Sequence, residues 1–307
     1  MQQPLLEVVN ISKSYKNSPV VNSISFDVHK GEILGILGPN GAGKSTTIRG
    51  IMNIIPPDDG EIRFHLDGGK HEGLPKAQLG YLPEERGLYK GVRIMDILLY
   101  FAKLKDYPLS KAKERAFAYL EKFDLKGKEN SKIEELSKGM AQKVQFIASL
   151  IHEPKLLILD EPFSGLDPVS QDIFKQEINE LAKNGTSILL SAHQMNLVEE
   201  LCDRIFMIHQ GREVVYGRVH DVKQQFADFK CEIIGENEHM DLSSLQGVKR
   251  VTKESGKQVL FLEKEVSPQV FLRTLPESLD IKELHIDRIS LHDIFVGIAR
   301  GGITNEK

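Results

Sequence analysis

Residues 33–45 read Ile-Leu-Gly-Ile-Leu-Gly-Pro-Asn-Gly-Ala-Gly-Lys-Ser, a short apolar run that leads into a glycine-rich turn. The continuous apolar part, Ile33 to Leu37, is typical of a strand buried in a parallel sheet. From residue 46 to 55 the apolar residues recur at helical spacing, and Pro56-Pro57 end the pattern. The turn is therefore predicted to join a buried strand to a helix.

The turn itself, Gly38-Pro39-Asn40-Gly41-Ala42-Gly43-Lys44-Ser45, fits the pattern G-x-x-x-x-G-K-[ST] and is followed by Thr46. Its glycines let successive backbone N–H groups point at phosphate oxygens, and the helix adds its positive N-terminal dipole. We expect Lys44 to reach the β- and γ-phosphates of a nucleotide and Ser45 to ligate Mg²⁺. A glycine turn with a chance lysine is the alternative, but such a match arises in a chain of this length with a probability on the order of 1%.

Two further apolar runs end in residues suited to hydrolysis. Leu156 to Leu159 is followed by Asp160-Glu161, and ligands of open α/β sheets bind at this end of the strands. Asp160 is placed to hold Mg²⁺, and Glu161 to orient or deprotonate the attacking water. A solvated strand end is the plainer alternative for the two carboxylates. His193 ends the next buried run, which we expect to form a strand beside the one that carries Asp160. It is therefore placed to hydrogen-bond the γ-phosphate, although a structural histidine is the alternative.

The order of strand and helix patterns indicates two domains, in keeping with a length of 307 residues. Over residues 1–224 strands alternate with helices, which predicts an α/β fold with a mostly parallel sheet and a helical insert at about 90–152. Over residues 225–307 the patterns predict a small α+β domain, compatible with a ferredoxin-like order.

Composition restricts the classes of function. The net charge of -4 gives no nucleic-acid footprint, so nucleic acid is not an expected partner. Cys202 and Cys231 form neither a disulfide framework nor a metal knuckle. The N-terminus has no secretory pattern, and no apolar run approaches a membrane span. A membrane role therefore requires a partner that spans the bilayer.

The run Leu136-Ser137-Lys138-Gly139-Met140 opens a predicted helix about 20 residues before the Asp160-Glu161 pair. A serine hydroxyl and a close-approaching glycine N–H at a helix start can bind a γ-phosphate. The helical insert separates this run from the phosphate loop of the same chain. Ser137 and Gly139 are therefore further candidates for nucleotide binding.

In this order, the motifs resemble those of the ATP-binding cassette (ABC) ATPases, and the resemblance covers residues 1 to about 220. It implies a P-loop NTPase fold with a RecA-like core, an antiparallel β subdomain and a helical signature subdomain. ATP and Mg²⁺ are the implied cofactors. The implied roles are adenine stacking by Tyr15, phosphate binding by Gly38 to Thr46 with Lys44 also catalytic, Mg²⁺ association by Asp160, and catalysis by Glu161. The resemblance further implies a D-loop from Ser164 to Asp167, in which Asp167 is a nucleotide-binding candidate, and a catalytic switch function for His193. For Tyr15, a core tyrosine at a strand end remains the alternative.

Two motifs depart from the family pattern. Lys138 and Met140 replace a glycine and a glutamine of the usual Leu-Ser-Gly-Gly-Gln signature. Glu84 stands where the family usually has a glutamine that touches Mg²⁺ and couples the site to the membrane partner. A carboxylate is still a hard oxygen donor, so Glu84 is a candidate Mg²⁺ ligand and catalytic residue, with a solvated charge run as the alternative.

The resemblance extends to an exporter type, in a branch that includes sodium and drug efflux. It rests on the string from Tyr81 to Tyr89 and on the C-terminal Ser290 to Phe295. It implies a head-to-tail pair of cassettes, in which Ser137 and Gly139 of one chain complete the site of the other, beneath an integral-membrane permease at the cytoplasmic face. The alternatives are a soluble ABC ATPase acting on DNA or ribosomes, and a nucleotide-binding regulator without turnover.

Overall fold

The computed structural model describes residues 3–16, 18–66, 69–71, 73–85, 87–226, 229–237, 239–254, 256–263 and 265–299. The chain divides into two compact units, Met1–Tyr216 and Gly217–Lys307. The boundary between the units lies after Tyr216 and not at the predicted residue 224, which falls inside a helix that covers Val219–Phe226. Val222 and Phe226 of that helix are buried, and an eight-residue helix is too short for its periodicity to mark a boundary in the sequence.

The first unit is a mixed α/β structure, which confirms the predicted fold class. Its elements are β1 (Leu6–Tyr15), β2 (Ser18–Val28), β3 (Ile33–Leu37), α1 (Lys44–Ile51), β4 (Asp59–Leu66), β5 (Gly69–His71), β6 (Leu79–Leu82), α2 (Ile94–Leu104), α3 (Leu109–Lys122), α4 (Lys138–Leu150), β7 (Leu156–Asp160), α5 (Pro168–Lys183), β8 (Ser187–Ala192), α6 (Met195–Leu201), β9 (Arg204–His209) and β10 (Arg212–Arg218). Within the described residues, no helix has the length and apolar character needed to cross a membrane.

A six-stranded sheet forms the centre of this unit, in the order β10-β9-β3-β8-β7-β6. The pairs β3–β8, β3–β9, β6–β7 and β7–β8 are parallel. Every residue of β3, β7 and β8 is buried, as their continuous apolar sequences predict. Since β8 lies between β3 and β7, three functional segments leave the same sheet edge side by side. The prediction that His193 follows a strand next to the one that carries Asp160 is confirmed.

A second sheet, in the order β2-β1-β4-β5, is antiparallel and shares a hydrophobic core with the first. Phe26 of β2 packs on Phe206 of β9, with ring centroids 4.9 Å apart. These layers hold the β3–α1 turn against Val20, which lies near the start of β2. Together with the helical insert, they give the three-part arrangement expected of a P-loop ATPase with an antiparallel subdomain.

The helical insert contains α2, α3 and α4, and three fully buried phenylalanines attach it to α5. Phe146 of α4 stacks on Phe174 of α5, with centroids 4.2 Å apart and an interplanar angle of 21°. Phe123 meets both rings edge-on, at 5.6 Å and 5.3 Å. Aromatic pairs in these geometries gain about 0.5–1.5 kcal/mol beyond the burial of their area. The insert is therefore fixed to the core at the helix that follows the Asp160-Glu161 segment.

The second unit has its own hydrophobic core around Leu260 and Phe271. Its elements are α7 (Val219–Phe226), β11 (Phe229–Ile234), β12 (Val248–Glu254), β13 (Lys257–Leu262), α8 (Pro268–Leu272), β14 (Glu283–Arg288) and α9 (Leu291–Ala299). The strands form an antiparallel sheet in the order β12-β13-β11-β14. This is the small α+β arrangement that the sequence predicts, with the first crossover reduced to a 3₁₀ turn at Leu242–Ser244.

Candidate active site

The phosphate loop connects β3 to α1 and lines a cleft of about 220 Å³. Gly43 has a φ of 113°, and a Cβ at this position would lie 2.7 Å from the carbonyl oxygen of Val20, so only glycine fits. Lys44 is buried, and its Nζ donates to the carbonyl oxygen of Gly38 at 2.8 Å. A buried ammonium group thus lies within a turn of backbone N–H groups, which is the charge distribution that binds phosphate.

Most residues predicted to hold the nucleotide phosphates line this cleft. Beside Val20, its lining consists of Pro39, Asn40, Gly41, Gly43, Lys44, Ser45, Thr46, Glu84 and Glu161. Gly38 and Ala42 complete the turn: the Ala42 N–H donates to the carbonyl of Pro39 at 3.1 Å. The end of β3, the end of β7 and the Glu84 segment therefore meet at one place.

Three oxygen donors cluster beside the cleft. The hydroxyl of Ser45 lies 3.5 Å from Oδ1 of Asp160 and 3.5 Å from Oε2 of Glu84. Asp160 is almost fully buried, and burial raises the pKa of its carboxyl, with the nearby charge of Glu84 adding to the rise. Two carboxylates and a hydroxyl form a hard-oxygen set, and a cation between them would relieve the repulsion of the carboxylates. The donor set fits Mg²⁺.

Glu161 is held in an unusual backbone conformation, with a φ of 51°. Its N–H donates to Ser191 of the neighbouring strand β8, both to the carbonyl oxygen at 3.2 Å and to the hydroxyl at 3.1 Å. The hydroxyl of Ser191 in turn donates to Oδ1 of Asp160 at 2.5 Å. Non-glycine residues in this region cost roughly 1–3 kcal/mol and persist only where neighbouring contacts over-determine them. Ser191 supplies those contacts.

The carboxylate of Glu161 touches two basic groups. Its Oε2 lies 2.7 Å from Nδ1 of His193, and its Oε1 lies 3.7 Å from Nζ of Lys44. Burial raises the pKa of the Glu161 carboxyl above its ordinary value, and the charges of His193 and Lys44 partly offset this rise. The side chain of His193 is half exposed, so it reaches from the buried carboxylate to the surface. A carboxylate in this setting is suited to accept a proton from water.

Four predicted nucleotide-binding residues lie outside both the phosphate loop and the lining of the cleft. Tyr15 lies at the end of β1 opposite Ser18 and is 42% exposed. Ser137 caps α4 by accepting a hydrogen bond from the N–H of Met140 at 3.2 Å, and Gly139 lies in the first turn of that helix. Asp167 caps α5 by accepting from Ser170, at 3.0 Å from the backbone N–H and 2.6 Å from the hydroxyl. Within one chain, these residues form helix ends and a strand end.

Three residues near the site were missed by the sequence reasoning. Ser191 has no role in the sequence analysis, although its position two residues before His193 was a usable signal. Gln142 and Gln145 of α4 reach backbone carbonyls of the catalytic segments, at 3.1 Å and 3.3 Å. Two glutamines three residues apart on a helix carry no recognisable pattern. Arg86, which belongs to the Gly80–Gly87 string, lies outside the described residues.

Comparison with known proteins identifies the family. The ABC transporter family matches residues 21–164. YhaQ of Bacillus subtilis, described as an uncharacterized ABC transporter ATP-binding protein, is 35% identical over 95% of this chain and 97% of its own length. This chain belongs to the ATP-binding proteins of ABC transporters. The family binds ATP and acts with membrane components, and the chain is accordingly an ABC transporter ATPase.

Three further comparisons describe the relatives of this ABC protein. A solved ATP-binding subunit of an ABC transporter superimposes with a TM-score of 0.67 and 34% identity, over 72% of this chain and 92% of that chain. The Nod factor export ATP-binding protein I of Sinorhizobium fredii is 33% identical over 87% of this chain and 78% of its own length. Residues 217–299 match the C-terminal domain of DrrA1-3-like ATP-binding proteins, which agrees with the second unit of the structure.

Proposed function

We propose that this ABC protein is the ATP-hydrolysing subunit of an exporter and acts as a head-to-tail pair of identical chains on a separate permease. The observation that carries the proposal is the position of Glu161. Its carboxylate lies between His193 and Lys44 beside the phosphate-loop cleft. This is where a water molecule must be activated to attack a γ-phosphate bound by that loop.

Each residue of the cleft has a part in the reaction. Lys44 and the loop N–H groups bind the β- and γ-phosphates and offset the charge that develops on them. Glu161 accepts a proton as the water oxygen bonds to the γ-phosphorus, and the bond from that phosphorus to the bridging oxygen of ADP breaks. His193 orients the Glu161 carboxylate and donates towards the γ-phosphate. Ser45, Asp160 and Glu84 would hold Mg²⁺, which when bound neutralises charge on the phosphate oxygens.

A second chain completes the site. The N-terminus of α4, with Ser137 at its cap and Gly139 in its first turn, does not line the cleft of its own chain. Ser137 and Lys138 are exposed and Gly139 is partly exposed, so this helix end is available to a γ-phosphate bound by another chain. A closed two-fold pair then contains two equivalent sites. Because ATP binds the closed pair better than the open one, ATP binding favours closure, and hydrolysis permits opening.

An exposed aromatic pair supports contact with a permease. Tyr89 and Tyr100 are 58% and 44% exposed, and their rings meet edge-on with centroids 6.3 Å apart. Tyr89 lies five residues after the candidate metal ligand Glu84. Exposed tyrosines are favourable contact residues, since each offers a large apolar ring and a polar tip. We place the permease contact here, on the cytoplasmic face of the membrane.

The direction of transport is inferred from similarity. The Nod factor export protein is similar over most of this chain, and the string from Tyr81 to Tyr89 resembles a sodium and drug efflux branch. We therefore propose export, with Na⁺ or a drug as the cargo to test first. Selection of the cargo belongs to the permease.

Purification in detergent, followed by reconstitution, tests this function. We expect the full chain to co-purify with a membrane protein, to hydrolyse ATP with Mg²⁺, and to drive outward transport in vesicles. The Lys44→Ala chain is the matched control and should assemble without transport. A chain that never associates with a membrane protein, and whose ATP hydrolysis is stimulated instead by DNA or ribosomes, would favour the soluble alternative. Binding of ATP without turnover would favour a regulator.

A further inference from the structure

Helix α4 carries two buried glutamines whose side chains leave the helix and bind backbone elsewhere. Gln142 is 2% exposed, and its Nε2 donates to the carbonyl oxygen of Pro162 at 3.1 Å. Gln145 is 6% exposed, and its Nε2 donates to the carbonyl oxygen of Glu85 at 3.3 Å. Residues three apart lie on the same face of a helix, so both amides point towards the core from one side of α4.

The two carbonyls belong to segments that carry the candidate catalytic carboxylates. Pro162 directly follows Glu161, and Glu85 directly follows Glu84. A hydrogen bond to each of these carbonyls holds the peptide group one residue beyond the carboxylate-bearing residue, and so restricts the backbone of that segment. The same helix begins at Ser137, whose surroundings we assign to the nucleotide of the second chain. One helix therefore joins the surface offered to the partner to both carboxylate segments of its own chain.

We propose that Gln145 positions Glu84 and that Gln142 positions Glu161. Helix α4 then fixes the positions of both carboxylates relative to the phosphate loop. The inference rests on the proposed function. When Ser137 of α4 engages the phosphate of the second chain, any displacement of the helix is passed through the two amides to Glu84 and Glu161. Helix α4 and the hydrogen bonds of Gln142 and Gln145 thus link each nucleotide site of the pair to the other site.

A packing role alone does not account for Gln145. Its Oε1 is buried and has no hydrogen-bond partner among the residues that the structure describes. A buried amide with one half unsatisfied is costly, and an apolar side chain of the same size would fill the space without that cost. What an apolar side chain cannot supply is the N–H that holds the Glu85 carbonyl.

Three glutamine variants of the full chain test the proposal. In Gln145→Leu and Gln142→Leu the amide is replaced by an apolar group of similar length. Gln258→Leu is the matched control, because Gln258 is 5% exposed and also donates to a backbone carbonyl, that of Asn237, in the other unit. Binding of Mn²⁺ with ATPγS is followed by electron paramagnetic resonance, and kcat and KM for ATP are measured separately. Thermal unfolding shows which variants are folded, and Gln145→Met replaces Gln145→Leu if the latter is not.

We expect Gln145→Leu to weaken Mn²⁺ binding by about three- to tenfold, the effect of one buried hydrogen bond. Gln142→Leu should instead lower kcat by a similar factor and leave Mn²⁺ binding within twofold. Gln258→Leu should change neither. If Gln145 acts through Glu84, the Gln145→Leu change should have little further effect in a Glu84→Gln chain.

Two results would overturn the proposal: Mn²⁺ binding unchanged in folded Gln145→Leu or Gln145→Met, or effects of Gln145→Leu and Glu84→Gln that simply add. The wild-type ATPase rate keeps this test separate from the proposed function. A wild-type chain that hydrolyses ATP while the glutamine variants behave normally contradicts only the positioning role. A wild-type chain without hydrolysis, whose Gln145→Leu form still loses Mn²⁺ affinity, contradicts only the proposed function.

Discussion

The carboxylate of Glu161 bridges two basic groups: its Oε2 lies 2.7 Å from Nδ1 of His193, while its Oε1 lies 3.7 Å from Nζ of Lys44. These three residues come from the ends of β7 and β8 and from the start of α1. The bridge orients a buried carboxylate with a raised pKa beside the phosphate-loop cleft. It also links the residue we propose as base to the residue we propose to bind phosphate.

We expect Glu161→Gln to slow ATP hydrolysis by about 10²-fold or more, because an amide has the shape of the carboxylate but does not accept the proton. Phosphate release measures the rate, and size-exclusion chromatography with ATP should show a trapped dimer. Binding of ATP is the control and should persist. Turnover equal to that of the wild-type chain would remove Glu161 from the role of base.

His193→Ala should move the acid limb of the kcat profile to higher pH. The base must be ionised, so hydrolysis falls as the pH drops through the pKa of Glu161. Burial raises that pKa and the charge of His193 lowers it, so removal of the imidazole raises it further. Profiles from pH 5 to 9 measure the shift, with His220→Ala in the second unit as the control. An acid limb that moves to lower pH, or does not move, would contradict the assignment.

Ser137→Arg should abolish hydrolysis while single-chain ATP binding stays close to that of the wild-type chain. The arginine would occupy the end of α4 that we propose contacts the second chain, and Ser137 lines no part of its own cleft. Equilibrium binding of a fluorescent ATP analogue and phosphate release measure the two effects.

Mixing Ser137→Arg with Lys44→Ala chains checks the head-to-tail pairing. One of the two sites in each mixed pair then keeps both wild-type halves, so the mixture should recover at most one site per dimer. Hydrolysis by Ser137→Arg alone at the wild-type rate would mean that the site is complete within one chain.

Glu84→Gln should retain hydrolysis but require more Mg²⁺ for half-maximal rate. The amide oxygen remains a ligand, but one negative charge near Ser45 and Asp160 is lost. Titration of Mg²⁺ at saturating ATP measures the change, and the same titration in vesicles with the permease tests the coupling. A variant that matches the wild-type chain in both titrations would show that Glu84 is a solvated charge.

Phe146→Ala should lower the free energy of unfolding of the first unit by about 3–5 kcal/mol, the usual cost of removing a buried phenylalanine. Phe146 is fully buried between Phe123 and Phe174. Urea unfolding measures the loss, and Phe117→Ala, at a site that is 47% exposed on α3, is the control. Equal effects of the two changes would mean that the aromatic cluster does not fix the insert.

The phosphate loop and its flanking elements were predictable because their signals are local. An apolar run, a glycine turn and a helical repeat occupy neighbouring residues, and each follows from backbone sterics and burial. The buried strands that end at Asp160 and Ala192 were recognisable for the same reason. The boundary between the units was misplaced because α7 is short, and Asp167 turned out to cap α5 within its own chain.

The sequence by itself determined which chemical groups the chain offers: a phosphate loop, two carboxylates after a buried strand, a histidine after the next, and a serine at a helix start. Only the tertiary structure decided which of them meet. The order β3-β8-β7 brings His193 to Glu161, the register of β7 with β8 sets Ser191 against Asp160, and α4 turns Gln145 towards Glu85. These contacts join residues 31 or more positions apart. They depend on strand order, register and helix packing, which hydrophobic periodicity along the chain does not specify.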